Sequence, residues 1–322
     1  MLLILTSSGD VTADYLADIL SRERVDFVRL DTDQLVQRVR ISYEGFEPRI
    51  QLDDRWIAPG DVKSIWYRRP EPLCFEPPDD SPEARFALSE WSECLEGFFA
   101  RVPPERWINH PTANFEASHK LEQLHLAQTL GFNVPDTLVT QDTELMRRFF
   151  AKHHGKVIIK PVSQGQVEES DGSAKSLIYT NLVREEDLLD LSDLERCPTF
   201  FQQFVPKESD VRITVVDREM HAVRLLAKEP DGTQRCDVRR NNMVDVLGEM
   251  VEIPPGIVTK IRGMMRRYRL RFGAIDMAIA TGGEWWFFEI NPNGQWAWLD
   301  MTTGTDIARS LLHAFSQSTA VV

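Results

Sequence analysis

Two stretches near the C-terminus are the most informative part of this sequence: Gly273-Ala274-Ile275-Asp276-Met277 and Phe288-Glu289-Ile290-Asn291-Pro292-Asn293-Gly294. A Gly-Gly pair between them predicts a β-hairpin whose two arms carry Asp276 and Glu289 among apolar neighbours. A charge in such surroundings is costly unless it is paired or bound to a metal. Because alternate residues of a strand share a side, Asn291 lies on the side of Glu289. Three hard oxygen donors on one sheet face favour Mg²⁺ with substrate phosphates. The alternative is a buried carboxylate that hydrogen-bonds with Arg271.

The composition is that of a folded chain with two or three packed units. The sequence has 322 residues, with 37 Lys and Arg against 50 Asp and Glu, which gives a formal net charge of −13. Such an acidic balance argues against nucleic acid as the main partner, because phosphate binding needs a basic surface. Hydrophobic residues at 42% and charged residues at 27% argue against wholesale disorder. No stretch approaches the roughly 18 apolar residues of a membrane span.

The cysteines and the N-terminal residues favour a cytoplasmic protein. Cys74, Cys94, Cys197 and Cys236 are too few for a disulfide framework, and no two of them have the CxxC spacing of zinc or thioredoxin-type sites. The first residues lack the basic segment of a signal peptide. We therefore expect a cytoplasmic protein with no membrane and no nucleic acid among its partners.

The pattern of short apolar runs and helical periods predicts three units. Residues 1–111 are expected to form an α/β unit, with strands at 2–6, 27–30 and 64–67 and a β-hairpin at 39–52. Residues 112–190 are expected to form a small α+β unit. There Asn114 is the predicted N-cap of a helix that carries Lys120, and residues 176–180 are predicted to complete the small sheet. Residues 191–322 are expected to contain paired strands, a helix at 257–268 and the hairpin described above.

The metal-binding pattern resembles a known family. Asp276, followed after 12 residues by Glu289-Ile290-Asn291-Pro292-Asn293, is similar to the metal-binding end of the ATP-grasp ligases. Three segments that precede Asp276 occur in the same order as in this family. They resemble its nucleotide lysine strand, its adenine hinge and its Asp-x-Arg strand: Val157-Ile158-Ile159-Lys160-Pro161, Phe201-Gln202-Gln203-Phe204-Val205 and Asp210-Val211-Arg212-Ile213.

Further segments resemble one branch of the family, the microviridin-type or graspetide peptide maturases. They are Trp66-Tyr67-Arg68-Arg69-Pro70, Asn109-His110-Pro111, Pro135-Asp136-Thr137-Leu138-Val139-Thr140 and Asn291-Pro292-Asn293-Gly294-Gln295-Trp296-Ala297-Trp298. The resemblance covers about residues 1 to 312. It implies an ATP-grasp fold, of mixed α/β and α+β class, in which an N-terminal pre-ATP-grasp α/β domain precedes two subdomains that clamp ATP.

The resemblance implies a role for each matched residue. The expected Mg²⁺ ligands are Asp276, Glu289 and Asn291. The expected contacts of ATP are Lys120, Lys160, Gln202, Gln203, Val205 and Asp210. Arg212 and Arg271 are expected to neutralise the transferred phosphoryl group, and Asp237 and Arg239 are expected near the peptide substrate. For the two lysines the alternative is a solvated position, on a helix face for Lys120 or at a strand end for Lys160. For the two expected catalytic arginines it is a pair with an acid such as Asp210 or Asp276.

Two departures and two further segments bear on these roles. Val238 stands where the maturases have the Trp of an Asp-Trp-Arg motif, and Gln203 stands where many ATP-grasp hinges have Glu. Residues 162–175 contain Gly165 and Gly172 but no GxxxxGK[ST] pattern, which excludes a P-loop. They are expected to form a lid over the triphosphate, the alternative being a mobile surface hairpin. The basic stretch 260–271 either attracts an acidic peptide or forms a solvated helix face with Met264 and Met265 towards the core.

The activity implied by the resemblance is ligation within a ribosomal precursor peptide that has a leader. A side-chain carboxylate of Asp or Glu is activated by ATP as an acyl phosphate, and Ser or Thr then forms an ester or Lys an amide. The resemblance leaves a homodimer open. A second hypothesis is an ATP-grasp ligase that adds free amino acids to a carboxylate. A third is a nucleotide-gated peptide-binding protein without catalysis, against which the presence of every matched ligand and lysine weighs.

Overall fold

The computed structural model describes residues 1–163, 165–168 and 175–317. Its strands are, in chain order, β1 (Leu2–Thr6), β2 (Phe27–Asp31), β3 (Val39–Glu44), β4 (Glu47–Leu52), β5 (Arg55–Ile57), β6 (Ser64–Tyr67), β7 (Trp107–Ile108), β8 (Thr137–Thr140), β9 (Val157–Lys160), β10 (Gln166–Glu168), β11 (Lys175–Leu177), β12 (Asn181–Leu182), β13 (Thr199–Gln203), β14 (Lys207–Val216), β15 (Glu219–Leu226), β16 (Leu247–Met250), β17 (Phe272–Ala280) and β18 (Trp285–Asn291). Its helices are α1 (Val11–Arg22), α2 (Leu35–Arg38), α3 (Pro82–Phe99), α4 (Pro111–Ala117), α5 (Lys120–Thr129), α6 (Thr143–Lys152), α7 (Pro255–Tyr268), α8 (Ala297–Thr303) and α9 (Ile307–Gln317).

The N-terminal part of the chain is built on a parallel sheet of order β2-β1-β6-β7. A parallel sheet needs cover on both faces, and β1 accordingly is buried along its whole length and apolar in its first four residues. Leu3 and Leu5 pack with Phe98 of α3 on one face. On the other face, Leu2 and Ile4 share a core with α1 and the C-terminal helices α8 and α9. The predicted hairpin at 39–52 is confirmed, and β5 extends it to a three-stranded sheet.

The C-terminal part is organised around an antiparallel sheet of order β16-β15-β14-β17-β18. Its apolar face packs on α7 and α5, where Ile261 and Met264 are fully buried with Ile275. The hairpin predicted from the Gly-Gly turn is confirmed by the pairing of β17 with β18. This pairing sets Asp276 directly opposite Glu289, beside a register shift that follows Asp276.

A small antiparallel sheet of order β12-β9-β13-β8 lies between these parts in the sequence, and Phe149 and Phe150 of α6 pack on it. The prediction that residues 176–180 complete this sheet is wrong. Strand β11 instead pairs with β10, and the edge of the sheet is the two-residue strand β12. The edge strand β12 is short and exposed, so it lacks the apolar pattern by which a strand is predicted.

The prediction of Asn114 as an N-cap is also wrong. Two helices occupy this region, and the first begins at Pro111 with His110 as its N-cap. Proline is favoured in the first turn of a helix because its missing N–H is not needed there. Asn114 is buried inside α4, where its amide accepts from Asn109 at 2.9 Å and donates to Asn293 at 3.0 Å. It joins this helix to the segment that follows β18.

In the part of the chain that the structure describes, no helix is both long and apolar enough to cross a membrane. The division of the chain at residues 111 and 190 stays a prediction.

Candidate active site

One cavity of about 470 Å³ is lined by residues of the small sheet β12-β9-β13-β8 and of the C-terminal sheet β16-β15-β14-β17-β18. Strands β9 and β13 of the small sheet contribute to its wall, as do β14, β17 and β18 of the larger one. The sequence-predicted residues that line it are Lys120, Lys160, Gln202, Gln203, Val205, Asp210, Arg212, Asp237, Arg239, Asp276, Glu289 and Asn291. The structure therefore brings together every predicted site residue except Arg271.

The two acidic side chains of the hairpin each face a cation. Asp276 Oδ1 lies 2.9 Å from Arg212 Nε, and Glu289 Oε2 lies 3.3 Å from Lys120 Nζ. Desolvation raises the pKa of Asp276 to about 6, although the charge of Arg212 opposes the shift. Desolvation acts the same way on Glu289, but the charges of Lys120 and Lys160 outweigh it and hold its pKa below the ordinary value. Glu289 is therefore firmly ionised, whereas the positive charge near Asp276 does not compensate for the desolvation of its carboxylate.

These donors fit Mg²⁺. Within the described residues no three His, Cys, Asp or Glu side chains form a metal cluster, so the chain offers two carboxylates and the amide oxygen of Asn291. Mg²⁺ is commonly held by one or two carboxylates while phosphates and water fill its other positions. The raised pKa of Asp276 also shows a carboxylate whose ionised form a further cation would favour.

The two lysines enter the cavity from different elements. Lys120 begins α5, and its ammonium donates to the carbonyl oxygens of Pro161 and Ser163, both at 3.2 Å. Lys160 ends β9, and its ammonium lies 4.8 Å from the ring centre of Phe200. Desolvation lowers the pKa of Lys160 to about 8, although the charge of Glu289 opposes this. Two ammonium groups close to one another favour a multiply charged anion between them.

The segment after β13 offers backbone groups to a planar ligand. The side chain of Gln202 is buried and donates to Thr137 Oγ1 at 2.9 Å, and that of Gln203 accepts from the backbone N–H of Asp136 at 3.4 Å. Val205 lines the cavity, and its N–H donates no hydrogen bond to any described residue. Both glutamines thus use their side chains within the small sheet and its flank, and Val205 lines the cavity with a backbone N–H that has no acceptor among the described residues.

Asp210 sits deep in the wall and is held by residues that the sequence analysis missed. It accepts from Lys207 Nζ at 2.6 Å and from Gln234 Nε2 at 3.0 Å. Burial raises its pKa, and the charge of Lys207 opposes the rise. Lys207 also lines the cavity. The strand pattern did not reveal this pair, because residues three positions apart in a regular strand lie on opposite sides, and a register shift between Lys207 and Ser209 interrupts β14 here.

Asp237 orients Arg239. The Asp237 carboxylate accepts from Arg239 at 2.9 and 2.6 Å and from the backbone N–H of Thr180 at 3.0 Å. Burial works against the ionised form of Asp237, but these contacts and the Arg239 charge lower its pKa to about 2. The same pair raises the pKa of Arg239 above its ordinary value. Asp237 therefore acts as a support, and the half-exposed Arg239 presents its charge to the cavity.

Arg271 is the exception among the predicted residues. Its guanidinium donates to Asp217 at 2.8 and 2.7 Å and to the carbonyl oxygens of Ala314 at 3.0 Å and Glu105 at 3.2 Å. The acid beside it is thus Asp217 and neither Asp210 nor Asp276. Arg271 and Asp276 are five positions apart, and in extended chain an odd difference in position puts two side chains on opposite sides. Arg212, by contrast, does pair with Asp276.

We expect Arg271→Gln to lower stability and to spare activity. Its bonds join the β14–β15 turn to α9, and their loss should reduce the free energy of unfolding by about 1–2 kcal/mol. Urea denaturation followed by circular dichroism measures this change. The matched variant Arg212→Gln should instead lose activity. Equal loss of kcat in both variants would contradict the separation of the two arginines.

Two further predicted segments are only partly informative. Residue 164 and residues 169–174 of the expected lid lie outside the described residues. In the basic stretch, Met264 and Met265 are buried in the core while Arg262, Arg266 and Arg267 are exposed. This matches the solvated helix face, and Arg269 pairs with Glu116.

Comparison with known proteins places this geometry in context. No protein-family model matches the chain, and no curated protein matches it either. Among solved structures, the macrocyclase MdnC of Microcystis aeruginosa MRC, bound with the precursor peptide MdnA, has a TM-score of 0.83 at 23% identity, over 98% of this chain and 99% of that one. The macrocyclase MdnB of the same organism has a TM-score of 0.76 at 27% identity, over 98% of each chain.

A third similar structure is an ATP-grasp ligase from Chryseobacterium gregarium that is associated with ribosomally synthesised, modified peptides and is in complex with ADP, a leader and a core peptide. It has a TM-score of 0.80 at 24% identity and covers 98% of this chain and 96% of its own. The match to these structures extends over nearly the whole chain. The chain therefore has the ATP-grasp fold, and these three structures are two macrocyclases and an ATP-grasp ligase associated with ribosomally synthesised peptides, which confirms the resemblance to the graspetide maturases.

Proposed function

We propose that the chain is an ATP-dependent ligase that forms ester or amide cross-links within a ribosomal precursor peptide. The observation that carries this proposal is the charge arrangement around one cavity. Asp276 and Glu289 stand opposite each other on β17 and β18, and both lysines and Arg212 surround them. This arrangement suits a reaction in which both reactants are anions. The fold of the peptide-ligase neighbours supports a peptide as the second substrate.

The chemistry has two steps. A side-chain carboxylate oxygen of Asp or Glu attacks the γ-phosphorus of ATP, the bond to the β,γ-bridging oxygen breaks, and ADP leaves. A Ser or Thr hydroxyl or a Lys amine of the same peptide then attacks the acyl carbon and gives up a proton. Phosphate leaves with the former carboxylate oxygen. The peptide thus loses the atoms of one water for each bond formed.

The residues of the chain act mainly by position and charge. Lys120 and Lys160 bind the phosphates of ATP. Its adenine base lies against the backbone at Val205 and the apolar side chains of Ile158 and Met277. Arg212 offsets charge on the transferred phosphoryl group, which is the main way that protein groups speed such transfers. When bound by Asp276, Glu289 and Asn291, Mg²⁺ supplies further positive charge to the phosphate oxygens.

Arg239, which is held by its hydrogen bonds to Asp237, is proposed to contact the peptide. The recognition of a leader and the homodimer remain predictions.

The experiment that tests the function is intact mass spectrometry of the peptide encoded beside the gene after incubation with the protein, ATP and Mg²⁺. We expect ATP-dependent loss of one or more waters, and mild alkaline hydrolysis then separates esters from amides. A gain of amino-acid mass would contradict cyclisation and support the add-on ligase. An unchanged mass with a peptide that binds would contradict ligase activity on that peptide.

A further inference from the structure

Two consecutive arginines follow strand β6 at the carboxyl end of the parallel sheet. In parallel sheets the loops at this edge are the usual ligand-binding positions. Arg68 and Arg69 leave the sheet here and reach the segment that follows β18. The N-terminal part of the chain thereby meets the cavity, although no residue of that part belongs to the site predicted from the sequence.

Arg68 joins the two parts of the chain. It is 1% exposed and lies 3.4 Å from Asp10, donates to Gln295 Oε1 at 2.7 Å, and donates to the carbonyl oxygen of Asn293. A buried guanidinium is tolerated only with such partners. Arg68 thus donates hydrogen bonds through both terminal nitrogens, while its Nε makes only the ion-pair contact with Asp10, and these contacts tie the chain before Arg69 to the segment after β18.

Arg69 has a different environment. It lines the cavity, and its Nε donates to the carbonyl oxygen of Asn293 at 3.2 Å. It forms no ion pair with any described residue. Desolvation lowers its pKa, partly offset by Asp10, and the charge of Arg212 lowers it further. Because Arg69 forms no ion pair and the positive charge of Arg212 lies close to it, a bound anion would stabilise both guanidiniums.

Arg69 and Arg212 flank the same turn. The carbonyl of Asn293 accepts from Arg69, and a Cβ placed on the next residue, Gly294, would lie 3.3 Å from Arg212 Nη1. The same Cβ would lie only 2.2 Å from Ala274 Cβ, so this turn packs tightly on β17. The turn follows Asn291, whose amide oxygen accepts from the backbone N–H of Asn293 at 2.9 Å. Both guanidiniums therefore contact the turn that follows the proposed metal ligand Asn291.

We propose that Arg69 binds the side-chain carboxylate of the peptide that is to be activated, so that the N-terminal part of the chain completes the active site. This inference rests on the proposed function and names the residue that positions its acidic substrate. A guanidinium matches a carboxylate in a bidentate manner, which an ammonium does not. A phosphate of the nucleotide would offer the same oxyanion chemistry. We favour the peptide carboxylate because Lys120 and Lys160 already provide two cations for the phosphates.

The test is a double-mutant cycle between Arg69 and the peptide. The peptide used is one for which the parent protein causes water loss, together with its variant in which the activated Glu or Asp is replaced by Gln or Asn. Binding of both peptides to the parent and to Arg69→Gln is measured by calorimetry with Mg²⁺ and a non-hydrolysable ATP analogue. The contribution of the leader is common to both peptides and cancels in the comparison. The control is Arg22→Gln, which changes an exposed arginine of α1.

We expect the peptide substitution to weaken binding about tenfold in the parent and in the Arg22 control, and not at all in Arg69→Gln. Affinity for the nucleotide analogue alone should stay unchanged, and Arg69→Lys should restore only part of the coupling. Equal weakening in Arg69→Gln, or loss of nucleotide affinity in its place, would overturn the inference. If the parent itself causes no water loss in any peptide, the proposed function fails and this inference falls with it.

Discussion

Glu289→Gln is expected to reduce ligation by about a thousandfold or more while the protein stays folded. The substitution keeps the shape of the side chain and removes the charge that faces Lys120 at 3.3 Å. Of the two hairpin acids, Glu289 is the one whose pKa is held down by lysines, so it is the firmly ionised member of the pair. Loss of several kcal/mol of charge stabilisation at a metal–phosphate site corresponds to this reduction in rate. Single-turnover kinetics with saturating ATP measure it.

The matched control is Glu284→Gln, because Glu284 lies exposed in the turn of the same hairpin. It should ligate at the parental rate. Calorimetric titration of both variants with Mg²⁺ and ADP should show weakened binding only for Glu289→Gln. Ligation by that variant at near the parental rate would contradict the metal assignment.

Lys160→Met is expected to weaken ATP binding about 10- to 100-fold with little loss of stability. The reason is that a hydrogen bond to a charged group contributes about 1.5–3 kcal/mol. Among the described residues, the Lys160 ammonium has no hydrogen-bond or ion-pair partner, only the ring of Phe200 at 4.8 Å. Desolvation already lowers its pKa to about 8, so its charge is held at a cost that methionine does not have. Titration with ATP and thermal unfolding measure the two effects.

Lys156→Met provides the control, since Lys156 is exposed immediately before β9. It should bind ATP as the parent does. A loss of stability in Lys160→Met as large as its loss of affinity would show that the lysine supports the fold and not the nucleotide.

Local patterns were sufficient for the elements that carry the site. The apolar residues of β17 and β18 and the glycines between them predicted that these two strands pair. The spacing of Asp276, Glu289 and Asn291 brought these three residues to one cavity because strand geometry fixes which side chains share a face.

The failures have a common physical cause, which is that tertiary contacts override local preference. Asn114 has the side chain of an N-cap, yet its amide is used to join α4 to Asn293. Arg271 stands near Asp276 in sequence but pairs with Asp217 from another turn. Arg69 lay within a recognised segment, but nothing local shows that it lines the cavity or that it lies close enough to Arg212 for that charge to lower its pKa. Such facts depend on residues that are distant in the chain.

The most direct test of the central claim uses a substrate peptide whose Asp and Glu carboxylates are labelled with ¹⁸O. If the carboxylate attacks the γ-phosphorus of ATP, each bond formed transfers one labelled oxygen to inorganic phosphate while the peptide loses one labelled water equivalent. Mass spectrometry of the phosphate reads this directly. We predict one ¹⁸O in the phosphate for each cross-link. Unlabelled phosphate together with labelled AMP, or cross-links formed without ATP, would contradict an acyl phosphate mechanism.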